Sequence, residues 1–256
     1  MRIRWQSFID PDRHRVYFEL LKAQLGRCAG DGVSYEVVGL DPPDTELHRL
    51  SEMRCGLRAV ANAIAAEREG FDAFLIGHFQ DSAMHEARAS VDIPVLGLGE
   101  TSMLHACTLG QRAGLITIDP IFIAWHREQI ARYGLSDRIV GVTAMATLSV
   151  LDYVRACEEE AAFARVLEQF ERAARPLLEA DAEVLIPAGG LPALVLSQRS
   201  GLEIGGAVVL DPLPVLAKHG EAAVALGELG VPIVSRRGAF ALPSNRCREE
   251  FLAALG

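Results

Sequence analysis

The sequence predicts an α/β protein of two similar lobes, each a mainly parallel sheet flanked by helices, and three observations carry that prediction. Short apolar runs ending in Gly, Pro or Asp alternate with longer segments of helical period, which is the pattern of parallel βα units. The apolar runs are nearly continuous rather than alternating, as strands covered on both faces require. The two halves also echo each other. Phe74-Leu75-Ile76-Gly77-His78 precedes the acidic strand end Glu100 by 22 positions counted from His78, and Val184-Leu185-Ile186-Pro187-Ala188 precedes Asp211 by 23 counted from Ala188. Such paired spacing points to duplication, with a site in the cleft between the lobes.

In chain order, a strand at 3–5 leads to a helix at 12–25, entered through Asp10-Pro11, where the missing Pro N–H costs nothing and Asp offers a cap. A strand at 35–38, a helix at 52–68 and a strand at 73–76 ending at Gly77 follow; a short helix carries His85 and Arg88. Strands at 94–96 and 114–118 come next, with Cys107 on a helix between them. A helix at 121–133 is entered through Asp119-Pro120, as the first was through Asp10-Pro11. A strand at 139–142, a helix at 159–179 opened by Glu158-Glu159-Glu160, strands at 184–186 and 207–210, a helix at 214–229 and a strand at 232–234 complete the pattern. Residues 1–98 with 214–256 are expected to form one lobe and 99–213 the other.

The 256 residues carry 25 basic and 34 acidic side chains, a formal charge of −9, which repels phosphate backbones and anionic membrane surfaces. Neither nucleic acid nor membrane is expected as a partner, and no apolar stretch approaches the roughly 20 residues of a membrane helix. Five widely spaced cysteines without a Cys-x-x-Cys suggest neither a disulfide framework nor a thiolate zinc site. With no signal-peptide pattern at the start, a cytoplasmic location is expected. Nucleotide cofactors are disfavoured, because no Gly-x-Gly-x-x-Gly follows the first strand and no Walker lysine is present. A small-molecule substrate is expected, and base rates for enzymes of this size favour a homo-oligomer.

Ligands of parallel sheets bind beyond the carboxyl ends of strands, so the candidate residues are those placed there. They are Gln6 and Ser7, the turn Gly77-His78-Phe79-Gln80-Asp81, the turn Gly99-Glu100-Thr101-Ser102, Thr117, and Ala188-Gly189-Gly190. Gln6, Ser7, Thr101, Ser102 and Thr117 are neutral donors and acceptors suited to a carboxylate or a ring imide, or to capping and turns. Imidazole with carboxylates also suits Mn, Fe or Zn, so His78, Glu100 and Asp211 form a candidate metal set converging from separate strand ends. Asp81 fits either a bond to His78 or a turn cap. Arg88 is expected to pair with Asp81 or Glu86; His126 and Asp119 are weaker site candidates; His14, His48 and His219 read as solvated.

Gly77-His78-Phe79-Gln80-Asp81, Ala87-Arg88, the phrase from Ile93 to Glu100, Gly114-Leu115-Ile116-Thr117 and Ile186-Pro187-Ala188-Gly189-Gly190 together resemble the aspartate/glutamate/hydantoin racemase superfamily, most closely its hydantoin racemase branch. The resemblance runs in order from Ile3 to about Asp211. It implies a pseudo-symmetric two-lobed fold, no cofactor, and inversion by two thiols, one from each lobe. On the matching motifs those thiol positions are His78 and Ala188, neither of them a thiol. Alanine holds no proton, whereas imidazole is a general base whose ordinary pKa of about 6.5 suits neutral pH.

The expectation is therefore an enzyme acting at a carbonyl-activated centre of a hydantoin-like ring or an α-acidic carboxylate. His78 is its general base, with Asp81 and Glu100 assisting. The rivals are a metal-dependent hydrolase, desulfurase or lyase of a hydantoin or thiohydantoin ring, and a non-catalytic binding protein.

Overall fold

A computed structural model of the chain describes residues 1–43 and 46–255. The first sheet is built from β1 (Arg2–Gln6), β2 (Ser34–Val38), β3 (Ala73–Ile76) and β4 (Val95–Gly97), all parallel, in the order β2-β1-β3-β4. The second holds β5 (Ala113–Thr117), β6 (Ile139–Ala144), β7 (Val184–Ala188), β8 (Glu203–Ile204) and β9 (Ala207–Val209), in the order β6-β5-β7-β9-β8. Apart from the added edge strand β8, the second sheet repeats the strand order of the first, so β3 and β7 occupy equivalent places. The α/β class and the two mainly parallel, helix-flanked sheets expected from the sequence are those observed.

The helices are α1 (Arg15–Cys28), α2 (Arg49–Arg68), α3 (Met84–Ser90), α4 (Leu98–Leu109), α5 (Phe122–Arg132), α6 (Val150–Glu158), α7 (Glu160–Glu179), α8 (Gly190–Leu196), α9 (Pro212–Glu228) and α10 (Asn245–Ala254). None is long and apolar enough, among the described residues, to cross a membrane. A central apolar cluster joins Ile3, Trp5 and Leu75 of the first sheet to Leu115 and Ile186 of the second, while two further clusters fill the outer faces. Strands buried on both sides explain the unbroken apolar runs: every residue of β3, β5 and β7 is buried.

Several expected elements shift for local reasons. The helix expected at 12–25 starts at Arg15, because the Asp10 carboxylate accepts from the N–H groups of Asp12 and Arg13 and holds a turn first. The helix expected at 159–179 is preceded by a separate one, α6, capped by Ser149 and Asp152 in a reciprocal box; Glu159 breaks the two apart in extended conformation. Gly205 and Gly206 both take positive φ and close the short hairpin that creates β8, a strand the sequence pattern does not reveal. Residues 232–234 form no strand; they lie in an exposed stretch after α9.

Candidate active site

The carboxyl ends of β3 and β7 abut. A Cβ placed on Gly190 would lie 3.1 Å from the Gly77 carbonyl oxygen, and one on Gly77 would collide with the Trp5 indole. Gly190 lets the two strand ends approach, Gly77 leaves room for the Trp5 indole of β1, and beside that seam opens a cavity of about 350 Å³. Ser7, Phe8, Asp10, His14, Tyr17 and His78, from the half of the chain that carries the first sheet, line it on one side, and Ile118, Phe122, Ser149, Gly189, Gly190 and Leu191, from the half that carries the second, line it on the other.

His78 is held from two directions. Its Nε2 lies 3.0 and 3.2 Å from the two carboxylate oxygens of Glu52 on α2, which also accepts from the Ser82 hydroxyl. Phe8 stacks on the imidazole with centroids 4.2 Å apart and planes 9° from parallel. A carboxylate at Nε2 makes that nitrogen the N–H donor, so the lone pair that accepts a proton sits on Nδ1. The ring is 19% and the carboxylate 12% exposed, so the pair is largely shielded from solvent.

Asp81 does not serve His78. Its carboxylate is buried and accepts from Gly99 N–H at 2.9 Å, Glu100 N–H at 2.6 Å, Gln129 Nε2 at 3.0 Å and the Tyr133 hydroxyl at 2.7 Å. It thereby binds the turn after β3 to the start of α4 and to α5. Burial pushes this carboxyl up to about 7, against the pull of Tyr133 and the two backbone N–H groups. A side chain at Gly97 or Gly99 would collide with this carboxylate or its neighbours, which accounts for both glycines of Gly97-Leu98-Gly99. Gln129 extends the network: its amide nitrogen donates to Phe79 O and Asp81, so its oxygen accepts from His126 Nδ1 at 2.9 Å. His126 Nε2 then accepts from the Thr117 hydroxyl at 3.2 Å, and burial pulls this imidazole down to about 4.

The remaining sequence candidates divide sharply. Ser7, His78, Gly189 and Gly190 line the cavity, and Ala188 is buried at the end of β7 just before those glycines. Gln6 turns to Asn62 and to the backbone of Ser7 and Gly39. Thr117 serves His126, and Ser102 bonds back to Leu98 O. Glu100 is not beside His78: β4 is three residues long and α4 begins at Leu98 without a loop, so Glu100 falls in the first helical turn and pairs with Arg88 at 2.6 Å. It faces, with Thr101, a separate hollow near His219. Arg88 accordingly pairs with Glu100 rather than with Asp81 or Glu86. Asp211 caps α9 through Leu213 N–H, and burial pushes it up to about 6. The set His78, Glu100 and Asp211 is thus dispersed, and among the described residues no three His, Cys, Asp or Glu side chains gather to hold a metal ion.

Three titratable cavity residues were not expected there from the sequence: His14, expected in solvent, Tyr17 and Asp10 all line the site from α1 and the turn before it. Glu52 was not expected at the site either. Asp119 accepts from Ile121 N–H at 2.8 Å and so holds the turn that precedes α5 rather than capping the helix.

A family model for Asp/Glu/hydantoin racemases matches residues 17–220, most of the chain. The chain belongs to the Asp/Glu/hydantoin racemase family. A hydantoin racemase from Pseudomonas sp. (strain NS671) is 29% identical over 163 residues, which span 63% of this chain and 62% of that relative. Among solved structures, the allantoin racemase of Klebsiella pneumoniae superimposes with a TM-score of 0.76 at 23% identity, covering 96% of this chain and 94% of its own. That of Pseudomonas fluorescens gives 0.74 at 20% identity over 95% and 97%. A glutamate racemase from Thermus thermophilus gives 0.57 at 19% identity over 90% and 82%. These structural likenesses establish the racemase fold.

Proposed function

We propose that the chain is an isomerase that moves the acidic proton of a neutral, hydantoin-type ring, with His78 as the general base. The observation that carries this reading is the His78–Glu52 pair at the seam of the two lobes, clamped by Phe8 and opening on the shared cavity. The likeness to a hydantoin racemase supports the substrate class.

The ring carbon flanked by a carbonyl gives up its proton to Nδ1 of His78, and the electron pair moves onto the carbonyl oxygen. Glu52 stabilises the imidazolium that forms and holds the tautomer, in the way a buried carboxylate supports a catalytic histidine. Phe8 restricts rotation of the ring, which keeps Nδ1 aimed at one locus. In this reading His78 and Ala188 stand at the positions of the family's two thiols, so His78 serves one face of the substrate and Ala188 contributes no proton to the other.

The walls favour a neutral substrate with an apolar substituent. No Lys or Arg is among the described lining residues, Asp10 would repel a carboxylate, and Phe8, Ile118, Phe122 and Leu191 supply apolar surface. The test is to incubate each enantiomer of 5-isobutylhydantoin with the protein in deuterated water, following loss of the ring C–H by proton NMR and inversion by circular dichroism. Exchange well above the buffer rate is expected. Saturable binding without exchange would make the chain a binding protein and overturn the reading.

A further inference from the structure

Inversion needs a proton donor on the face that His78 does not serve, and the cavity holds one on α1. Tyr17 is buried on α1, which leans across the lobe boundary onto α6 and α8. Its hydroxyl lies 3.8 Å from the point a Cβ on Gly190 would occupy, the same point that is 3.1 Å from the Gly77 carbonyl. The phenol therefore stands at the start of α8, two residues beyond Ala188, while His78 follows Gly77 across the seam. Its one hydrogen bond among the described residues is long, 3.5 Å to Ser7 Oγ, so the group is held in place without being committed to a strong partner.

We infer that Tyr17 is the proton donor to the second face of the substrate, in place of the thiol that Ala188 cannot supply. The inference rests on the reading of His78 as base. The ring C–H bond breaks and its proton passes to His78 Nδ1, with the electron pair delocalised into the carbonyl. The Tyr17 O–H bond then breaks, its proton forms the new C–H bond on the opposite face, and the electron pair stays on the phenolate oxygen. When product leaves, the imidazolium proton returns to the phenolate through water, which restores the resting enzyme. Burial pushes the Tyr17 hydroxyl up to about 12, so at neutral pH it waits in the protonated form this step requires.

The test separates exchange from inversion. Tyr17→Phe keeps the ring that packs in the core and removes only the hydroxyl, and a thermal melt confirms that the fold is retained. With the enantiomer of 5-isobutylhydantoin that exchanges faster, wild type should incorporate deuterium and invert. Tyr17→Phe should incorporate deuterium within about threefold of wild type yet invert at least about tenfold more slowly, the loss typical of a positioned acid. Exchange and inversion falling together would make Tyr17 a hydrogen-bond donor to the enolate oxygen and overturn the assignment; unchanged inversion would overturn it too. Wild type without exchange would overturn the isomerase reading and this assignment with it. Exchange that survives His78→Gln would overturn the choice of base and, because the donor's face is defined against His78, this assignment with it.

Discussion

Replacing Glu52 by Gln perturbs His78 without touching the cavity wall, since Glu52 is absent from the lining residues. The carboxylate lies 3.0 and 3.2 Å from Nε2 with both groups largely buried, so the lost contact is a charge-assisted hydrogen bond that strengthens as imidazolium forms. Such bonds contribute roughly 1.5–3 kcal/mol, which corresponds to a rate loss of about 10- to 150-fold. A Gln amide that donates to Nε2 would also favour the wrong tautomer and deepen the loss. The assay is steady-state deuterium exchange of 5-isobutylhydantoin, with kcat and KM determined separately. The account predicts that kcat carries the loss while KM stays within about threefold, because Glu52 acts through His78 rather than on substrate. A Glu52→Gln protein with wild-type kcat would refute the pairing as a catalytic device.

Removing the Asp81 carboxylate with Asp81→Ala leaves four donors, two of them in fully buried contacts, without their acceptor and should cost roughly 3–5 kcal/mol, lowering the thermal midpoint by about 10 °C or more. Because burial raises Asp81 to about 7, the native state holds this proton more tightly than the unfolded chain; the associated stability is complete at low pH and is lost as pH rises through about 7. Thermal midpoints of wild type and Asp81→Asn measured from about pH 5 to about pH 8 should therefore show wild type losing stability relative to the variant, and an unchanged difference would contradict the shift. The apolar wall predicts that 5-isobutylhydantoin is turned over with a higher kcat/KM than allantoin, whose substituent is polar; competition between the two in one NMR tube decides it. Dialysis against a chelator should leave exchange unchanged, whereas activity lost and then restored by Mn, Fe or Zn would revive metal-dependent ring hydrolysis.

The β3 and β7 ends were legible because a parallel sheet writes its functional turns as an apolar run followed by glycine and a polar residue, as in Ile76-Gly77-His78. The groups around those strand ends were less so. Glu52 lies 26 positions before His78 on a helix whose start reads as polar surface, and only the packing of α2 beside β3 brings the two together. His14 and Tyr17 sit in a stretch whose helix was expected three residues early, which hid the face that α1 turns to the seam. Glu100 was misplaced for the opposite reason. Its equivalence to Asp211 is real in strand order, but both residues sit at helix starts, where one pairs with Arg88 and the other caps α9. Duplication predicts which strand ends correspond; it does not predict which way the following helix turns their side chains.

The central claim is that His78 removes the ring proton, and the most direct measurement is the deuterium exchange rate of 5-isobutylhydantoin for His78→Gln beside wild type at matched thermal stability. The account predicts a loss of about 10²- to 10⁴-fold, the range a positioned general base supplies. Exchange by the variant at a rate close to that of wild type would contradict it and move the base to another residue of the cavity.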